Sequence, residues 1–246
     1  MTSAKPLLEA ALRVPAPDLV ESADTKLGTI ACQEAQFCTD ADRIWNSGLA
    51  KEVGLNPVFR RSASLAQASF MSECLAAKNA DVQVFAVAMD VNSVTRLARD
   101  CAGQGFHPIY LYMLSTLTLS QKDDPNLDGA MVVLPLVPWF QDTPALNEFR
   151  DALARYAPGV DPSTVSLEGW TSGKVLEAAG QSLPAEPTSQ DVLAALHAVQ
   201  GNSLGGLTHE LTFNAGQPAP ATVCGSLVVI SGGSFTSPTG TGLRCA

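Results

Sequence analysis

Between residues 27 and 137 the sequence alternates two kinds of apolar pattern, and that alternation restricts the fold more than any other feature. Short runs suited to buried strands, LGTIA (27–31), NPVFRR (56–61), VQVFAVAM (82–89), PIYLY (108–112) and GAMVVLPLV (129–137), are separated by helix-patterned stretches. In the first of those, Ala41, Trp45, Leu49 and Val53 recur every four residues, one stripe of an amphipathic helix. Thr39 or Asp40 is its expected N-cap and Gly54 its stop. A second helix, from about Gln67 to Lys78, is expected to carry Phe70, Met71, Cys74 and Leu75 inward. Val94, Leu97, Ala98 and Cys101 mark a third, closed by the GQG at 103–105. VQVFAVAM is apolar almost throughout, as a strand covered on both faces must be. A strand–helix rhythm of this kind predicts an α/β fold, a doubly wound, mostly parallel sheet with right-handed crossovers.

After Pro138-Trp139 the pattern changes. Three helical stretches follow without a strand between them, at 143–158, 163–183 and 188–199, punctuated by PGVDPS and LPAEPTS. GLTHELTFN (206–214) and TVCGSLVVISGGSF (222–235), on either side of AGQPAP, then read as hairpin-like β structure. Trp45 and Trp170 fall at core positions of their helices, whereas Trp139, at the expected crossover, either walls a cleft or packs beneath a hinge.

Composition narrows the function. Hydrophobic residues make up 46% of the 246 and charged residues 16%, which supports a large packed core. With 24 acidic against 15 basic residues, a net charge of −9 and no Lys/Arg cluster, the footprint of nucleic-acid binding is missing. No apolar run reaches the ~20 residues of a membrane span. Six cysteines fall as three sequence-local pairs, Cys32/Cys38, Cys74/Cys101 and Cys224/Cys245, an arrangement that favours structural disulfides in an oxidising compartment. Against that, MTSAKPLLEAALRVPAPDLVES is not the basic-then-apolar segment of an exported chain, because Glu9 and Arg13 interrupt it. Reduced thiols in a cytosolic protein are the alternative.

Catalytic motifs fail on context. The C-x5-C of Cys32 and Cys38 lacks zinc-ligand spacing, and His107, His197 and His209 do not cluster with cysteine, so no metal is expected. Gly201-Asn202-Ser203-Leu204-Gly205 matches the G-x-S-x-G of serine hydrolases but follows a helix and precedes a strand, the reverse of the arrangement that raises a nucleophile. SGGSFTSPTGTG is rich in glycine without a following helix, which argues against a phosphate cradle. No catalytic residue and no cofactor are expected, and the chain is read as a non-enzyme.

The order of parts resembles the second half of a type I periplasmic binding protein, the Leu/Ile/Val-type substrate-binding proteins of bacterial ABC importers. The likeness runs from about residue 26 to 236 and rests on four segments. SLAQASFMSECLAAKNADVQVFAVAMDVNSVTRLARDCAGQGFHP (64–108) is similar to that family's strand–helix–strand–helix passage, and DGAMVVLPLVPWFQDTPALNEFRDALARY (128–156) to its strand and crossing to the other lobe. SLEGWTSGKVLEAA (166–179) is similar to its long helix, and GGLTHELTFNAGQPAPATVCGSLVVISGGSF (205–235) to its terminal region.

The resemblance implies two α/β lobes closing on a solute, followed by delivery to an ABC permease. It assigns residues 26–140 and 205–246 to the second lobe and 141–204 to a helical segment of the first. Residues 1–25 are expected to be linker or remnant, and the rest of the first lobe to be missing, as in a truncated chain. Location would be periplasmic or extracellular, at the cell surface. In open α/β sheets ligands sit beyond the carboxyl ends of the strands. This points to Gln33, Glu34 and Phe37 after the first strand, Asp90, Asn92 and Ser93 after the third, Tyr112, Ser115 and Thr116 after the fourth, and Trp139 at the crossover. Ordinary capping or solvation is the competing reading for each. Leu114 and Ser115 stand where many amino-acid binders carry a carboxylate, for which Asp90 is the substitute. The solute is expected to be an amino acid, a related amide or an aromatic acid. A ligand-sensing receptor or regulator of the same fold, and a protein that homodimerises through its exposed first-lobe surface, are the alternatives.

Overall fold

The structure, a computed structural model, describes residues 5–20, 24–113, 117–218 and 222–245. Strands β1 (Lys26–Cys32), β2 (Asn56–Ala63), β3 (Val84–Ala88), β4 (Ile109–Met113), β5 (Met131–Leu134), β6 (Cys224–Ser231) and β7 (Ser234–Thr236) form a sheet in the order β2-β1-β3-β4-β5-β6-β7. β1 to β5 pair in parallel, and β6 and β7 close the edge antiparallel, as a hairpin turning at Gly232 and Gly233. β3 is buried at all five positions, in keeping with its unbroken apolar run. Between Leu27 and Gly28 the β1–β2 register shifts; a Cβ on Gly28 would lie 2.8 Å from Val82, so the close approach admits only glycine without displacing that side chain.

The chain leaves β1 for one neighbour and returns past it to the others. Right-handed crossovers therefore put α3 (Gln36–Ile44) on one face and α5 (Met71–Asn79) and α6 (Val91–Gly103) on the opposite one. α3 runs on through a π-helical turn, Trp45–Leu49, where Gly48 has φ 109°, into the short α4 (Ala50–Glu52). It begins at Gln36, not at Thr39 or Asp40. The Cys32–Cys38 disulfide ties the end of β1 to the first turn of the helix, leaving three residues for the connection. Thr39 instead bonds the carbonyl of Ala35 from within the helix. α5 starts later than expected, at Met71. Phe70 and Cys74 are fully buried, but Met71 and Leu75 are 53% and 49% exposed, because the face turned to α6 is already filled by the buried Cys74–Cys101 disulfide and Ala77.

Residues 1–25 are not a linker in the described part. α1 (Lys5–Arg13), α2 (Ala16–Leu19) and the turn between them bury Leu8, Leu12, Val14 and Leu19 in the main core, α1 lying against α3 and the β4–β6 region. The Trp45 indole donates to the Leu8 carbonyl at 2.9 Å. Arg244, on the short β8 (Arg244–Cys245) that pairs with β6, reaches the Val14 carbonyl and the Asp18 carboxylate. The third disulfide, Cys224–Cys245, lies on that pair, so each of the three sequence-local pairs is bridged.

Past β5 the chain builds α7 (Pro144–Tyr156), α8 (Thr164–Gly180) and α9 (Ser189–His197), whose N-caps are Thr143, Ser163 and Thr188. Leu146, Phe149 and Leu167 join the main core, and Ala179, Ala195 and Val199 form a small one of their own. Residues 206–214 do not form the expected hairpin. Apart from an isolated bridge between Asn202 and Leu211 they are irregular, and Leu207 packs into the core while its carbonyl accepts from Val137 N–H, tying two crossing segments together. The Gly201–Gly205 motif is a tight exit from α9, with positive φ at Gly201, Leu204 and Gly205.

Candidate functional site

The first four strands end at Cys32, Ala63, Ala88 and Met113, and the connections after the first three gather polar groups along one edge of the sheet. After β1, Gln33 and Glu34 are exposed, and Phe37 is half-buried against the core. Glu34 accepts from the Ser64 hydroxyl at 2.6 Å and Leu65 N–H at 3.0 Å through Oε1, and from Gln33 N–H at 3.1 Å through Oε2. It thus ties the β1 exit to the β2 exit. The Ser64 hydroxyl bond, helped by those backbone donors, outweighs desolvation and holds its carboxyl below the usual glutamate range.

After β3, Asp90 is the N-cap of α6. It accepts from Asn92 N–H at 2.9 Å, Ser93 N–H at 3.2 Å and the Ser93 hydroxyl at 2.7 Å. Burial pushes this carboxyl upward, but the bonds from Ser93 and Asn92 and the Arg96 guanidinium prevail and hold it below its ordinary value. Arg96 Nη2 donates to the same Ser93 hydroxyl at 3.1 Å and to the Leu65 carbonyl at 2.9 Å, and its guanidinium lies over the Phe70 ring, 5.4 Å from the centroid. Glu34, Ser64, Leu65, Arg96, Ser93 and Asp90 are therefore linked across the ends of β1, β2 and β3, with two ionised carboxylates facing solvent.

Not every expected residue reaches this edge. Tyr112 is 1% exposed, its hydroxyl taking a bond from Gln121 at 3.2 Å; a strand residue buried between two helical layers presents nothing to solvent. Burial pushes its phenol pKa up. Trp139 is 2% exposed, packed edge-on against Phe140 and Phe235 at 5.6 and 5.8 Å, so it lies beneath the crossing segments and does not wall a cleft. Arg150 clamps this turn through the carbonyls of Trp139 and Gln141. Leu114, Ser115 and Thr116 lie outside the described residues. Ser64 and Arg96 were missed in the sequence; the signal for Ser64 was its place just after the second strand, an end as suited to ligand as the others. Among the described residues no group of three or more His, Cys, Asp or Glu could hold a metal, and no helix is long and apolar enough to cross a membrane.

The family model for periplasmic binding proteins matches residues 11–231. The chain belongs to that family. Solved structures agree on the fold. A fatty acid ABC transporter substrate-binding protein from Thermomonospora curvata superposes with a TM-score of 0.78 at 16% identity, over 96% of this chain and 62% of its own. A branched-chain amino acid ABC transporter protein from Thermus thermophilus with bound valine gives 0.77 at 16%, over 98% and 65%. An ABC transporter solute-binding protein from R. palustris in complex with benzoate gives 0.71 at 16%, over 98% and 64%. The chain thus spans a little under two thirds of the length of these proteins. No curated protein sequence matched.

Proposed function

We propose that this periplasmic binding protein chain supplies the second solute-binding lobe, residues 26–140 and 205–246, and a helical part of the first, 141–204, of a substrate-binding component that serves an ABC permease outside the cytoplasm. The observation that carries the reading is the linked carboxyl edge, where Glu34 and Asp90 are held ionised by donors from three strand ends. Such an edge suits a small solute bearing an ammonium or amide group, captured by hinge closure of one lobe on another. Gln33 and Asn92 flank the carboxylates, and Ser115 and Thr116 belong to the same proposed site. The three disulfides fit an oxidising location. Valine, benzoate and fatty acid, named for the similar structures, bracket the solutes to screen.

Thermal-shift screening of amino acids, amides and short aromatic acids tests the reading. A ligand at ~100 times its Kd stabilises by about 2.7 kcal/mol, and Asp90→Ala is expected to abolish that shift. A shift that survives both Asp90→Ala and Glu34→Gln would refute this edge as the site.

A second reading is favoured by one observation. Tyr156, Val160, Val165, Leu176 and Leu193 on the α7–α9 segment are each more than half exposed. Apolar surface of that extent favours burial against a partner, and a homodimer through this face would leave the chain an interaction protein. A monomer by size-exclusion chromatography at all concentrations would exclude it.

A further inference from the structure

Most cations of this acidic chain meet a carboxylate: Arg13 meets Glu52, Arg43 meets Asp40, Arg60 meets Asp42, Arg244 meets Asp18, and Lys174 meets both Glu148 and Glu177. Arg96 has no such ion pair among the described residues, and Arg99 has only a long one. The bonds from Arg96 Nη2 go to neutral oxygens, the Leu65 carbonyl and the Ser93 hydroxyl, and its buried Nε has no partner. Asp90 lies beyond Ser93, its oxygens taken by the Asn92 and Ser93 donors. The Arg99 side chain is 65% exposed and comes only within 3.6 Å of Asp100, whose other oxygen is held by Ser69 and Phe70 N–H.

Three residues apart on α6, the two guanidiniums share a helix side, where like charges destabilise each other. Both line a groove of about 510 Å³ that opens at the carboxyl edge, between α6 and the connection from β4 to β5. Asn92 and Thr95 stand on the helix wall and Thr118 and Ser120 on the other; no carboxylate is among the described lining residues. The Thr118 and Ser120 hydroxyls are 3.1 Å apart. Guanidinium forks match the planar oxygens of a carboxylate or phosphate, and hydroxyls rotate to donate to them.

We propose that this groove is an oxyanion-binding site, in which Arg96 and Arg99 hold a carboxylate or phosphate group of a small anion with Thr118 and Ser120 beside it. The site adjoins the carboxylate edge at Glu34 and Asp90, shares Asn92 and Arg96 with it, and suits the opposite charge. An anion here offsets the Arg96–Arg99 repulsion.

Backbone amide NMR of the full chain tests it, with sodium benzoate, inorganic phosphate and neutral benzamide each added to about 10 mM, enough to fill a site of millimolar Kd. Benzoate or phosphate is expected to shift amides of 91–99 and 117–121, and benzamide to leave them unmoved. A response to benzoate alone assigns the site to organic carboxylates, and one to both assigns it to oxyanions in general; either supports the proposal. Arg99→Gln, at an exposed position, is expected to weaken the response about tenfold, as loss of one charged hydrogen-bond donor does. Ser120→Asp, also exposed, should abolish it by placing a carboxylate in the groove. Equal shifts from benzamide, no shift from either anion, or anion shifts that both variants retain would overturn the proposal. A chain that binds a neutral solute at the Asp90 edge but no oxyanion would overturn the groove and leave the solute-binding reading in place.

Discussion

Replacing Leu12 by alanine tests the claim that the first helix is part of the core. Leu12 and Leu8 are fully buried, one turn apart, and α1 lies against both α3 and the sheet. Truncating such a leucine removes its transfer energy and leaves a cavity, a loss of roughly 3 kcal/mol with a spread of about 2.7–5. A urea slope of ~3 kcal/mol/M then moves the midpoint down by about 1 M. Tryptophan fluorescence reads the transition, because Trp45 is 1% exposed and bonded to the Leu8 carbonyl, so detachment of α1 alters its surroundings directly. Deleting residues 1–19 uncovers the β4–β6 face altogether and should leave no cooperative transition. A midpoint shift below about 0.2 M for the substitution, together with an intact transition for the deletion, would refute the reasoning and restore the linker reading.

Cys74 and Cys101 are both fully buried and close a span of 27 residues, so converting the pair to alanine is expected to cost about 3.5 kcal/mol and lower Tm by roughly 10 °C; the Cys32–Cys38 pair, 6 apart, should cost only ~2 kcal/mol, and calorimetry that reverses this order would contradict the loop-entropy account. Asp90 has a depressed folded pKa, so its stabilisation is present above the unfolded value of about 3.9 and is lost as pH falls through the folded value. Asparagine at this position keeps the cap without the charge, so the stability gap between the wild type and Asp90→Asn should shrink from pH 7 to pH 3; a gap that is flat with pH would contradict this. Trp139→Ala removes the centre of the Phe140–Phe235 cluster and should destabilise by about 3–5 kcal/mol in denaturant melts, whereas a residue that merely walled an open cleft would cost under 1.

The parts of the fold that were legible are those in which one sequence period settled burial. VFAVA (84–88) is apolar without interruption and β3 is buried throughout; Val94, Leu97, Ala98 and Cys101 keep helical spacing and are all buried on α6. The misreadings come where a tertiary constraint overrides local preference. Thr39 and Asp40 are good caps by type, but the Cys32–Cys38 bridge pulls the helix start back to Gln36. The alternation in 206–214 has the period of a strand, yet the segment is spent on crossing between parts of the structure, with Leu207 fixed by Val137. In α1, Glu9 and Arg13 mask a Leu8–Leu12 stripe that becomes visible only with α3 opposite.

The edge shows the same division. Strand ends marked Glu34 and Asp90 as polar residues at a common height, which requires only the strand order. Their partners required the register between β1 and β2, since Ser64 meets Glu34 only because Cys32 pairs with Ala63. Arg96 required the helix phase as well: six residues beyond Asp90, it returns over the Ser93 hydroxyl and reaches Leu65 beyond β2. Each added link in that chain depends on one more element being placed, so carboxylates standing alone in the sequence become a connected network only once β1, β2, β3 and α6 are packed together. Hydrogen bonds across three strand exits fix the Glu34 and Asp90 side chains, and on the proposed function this edge faces the solute. Closure of another lobe over it would then meet a preformed set of acceptors, which favours affinity by lowering the ordering cost of binding.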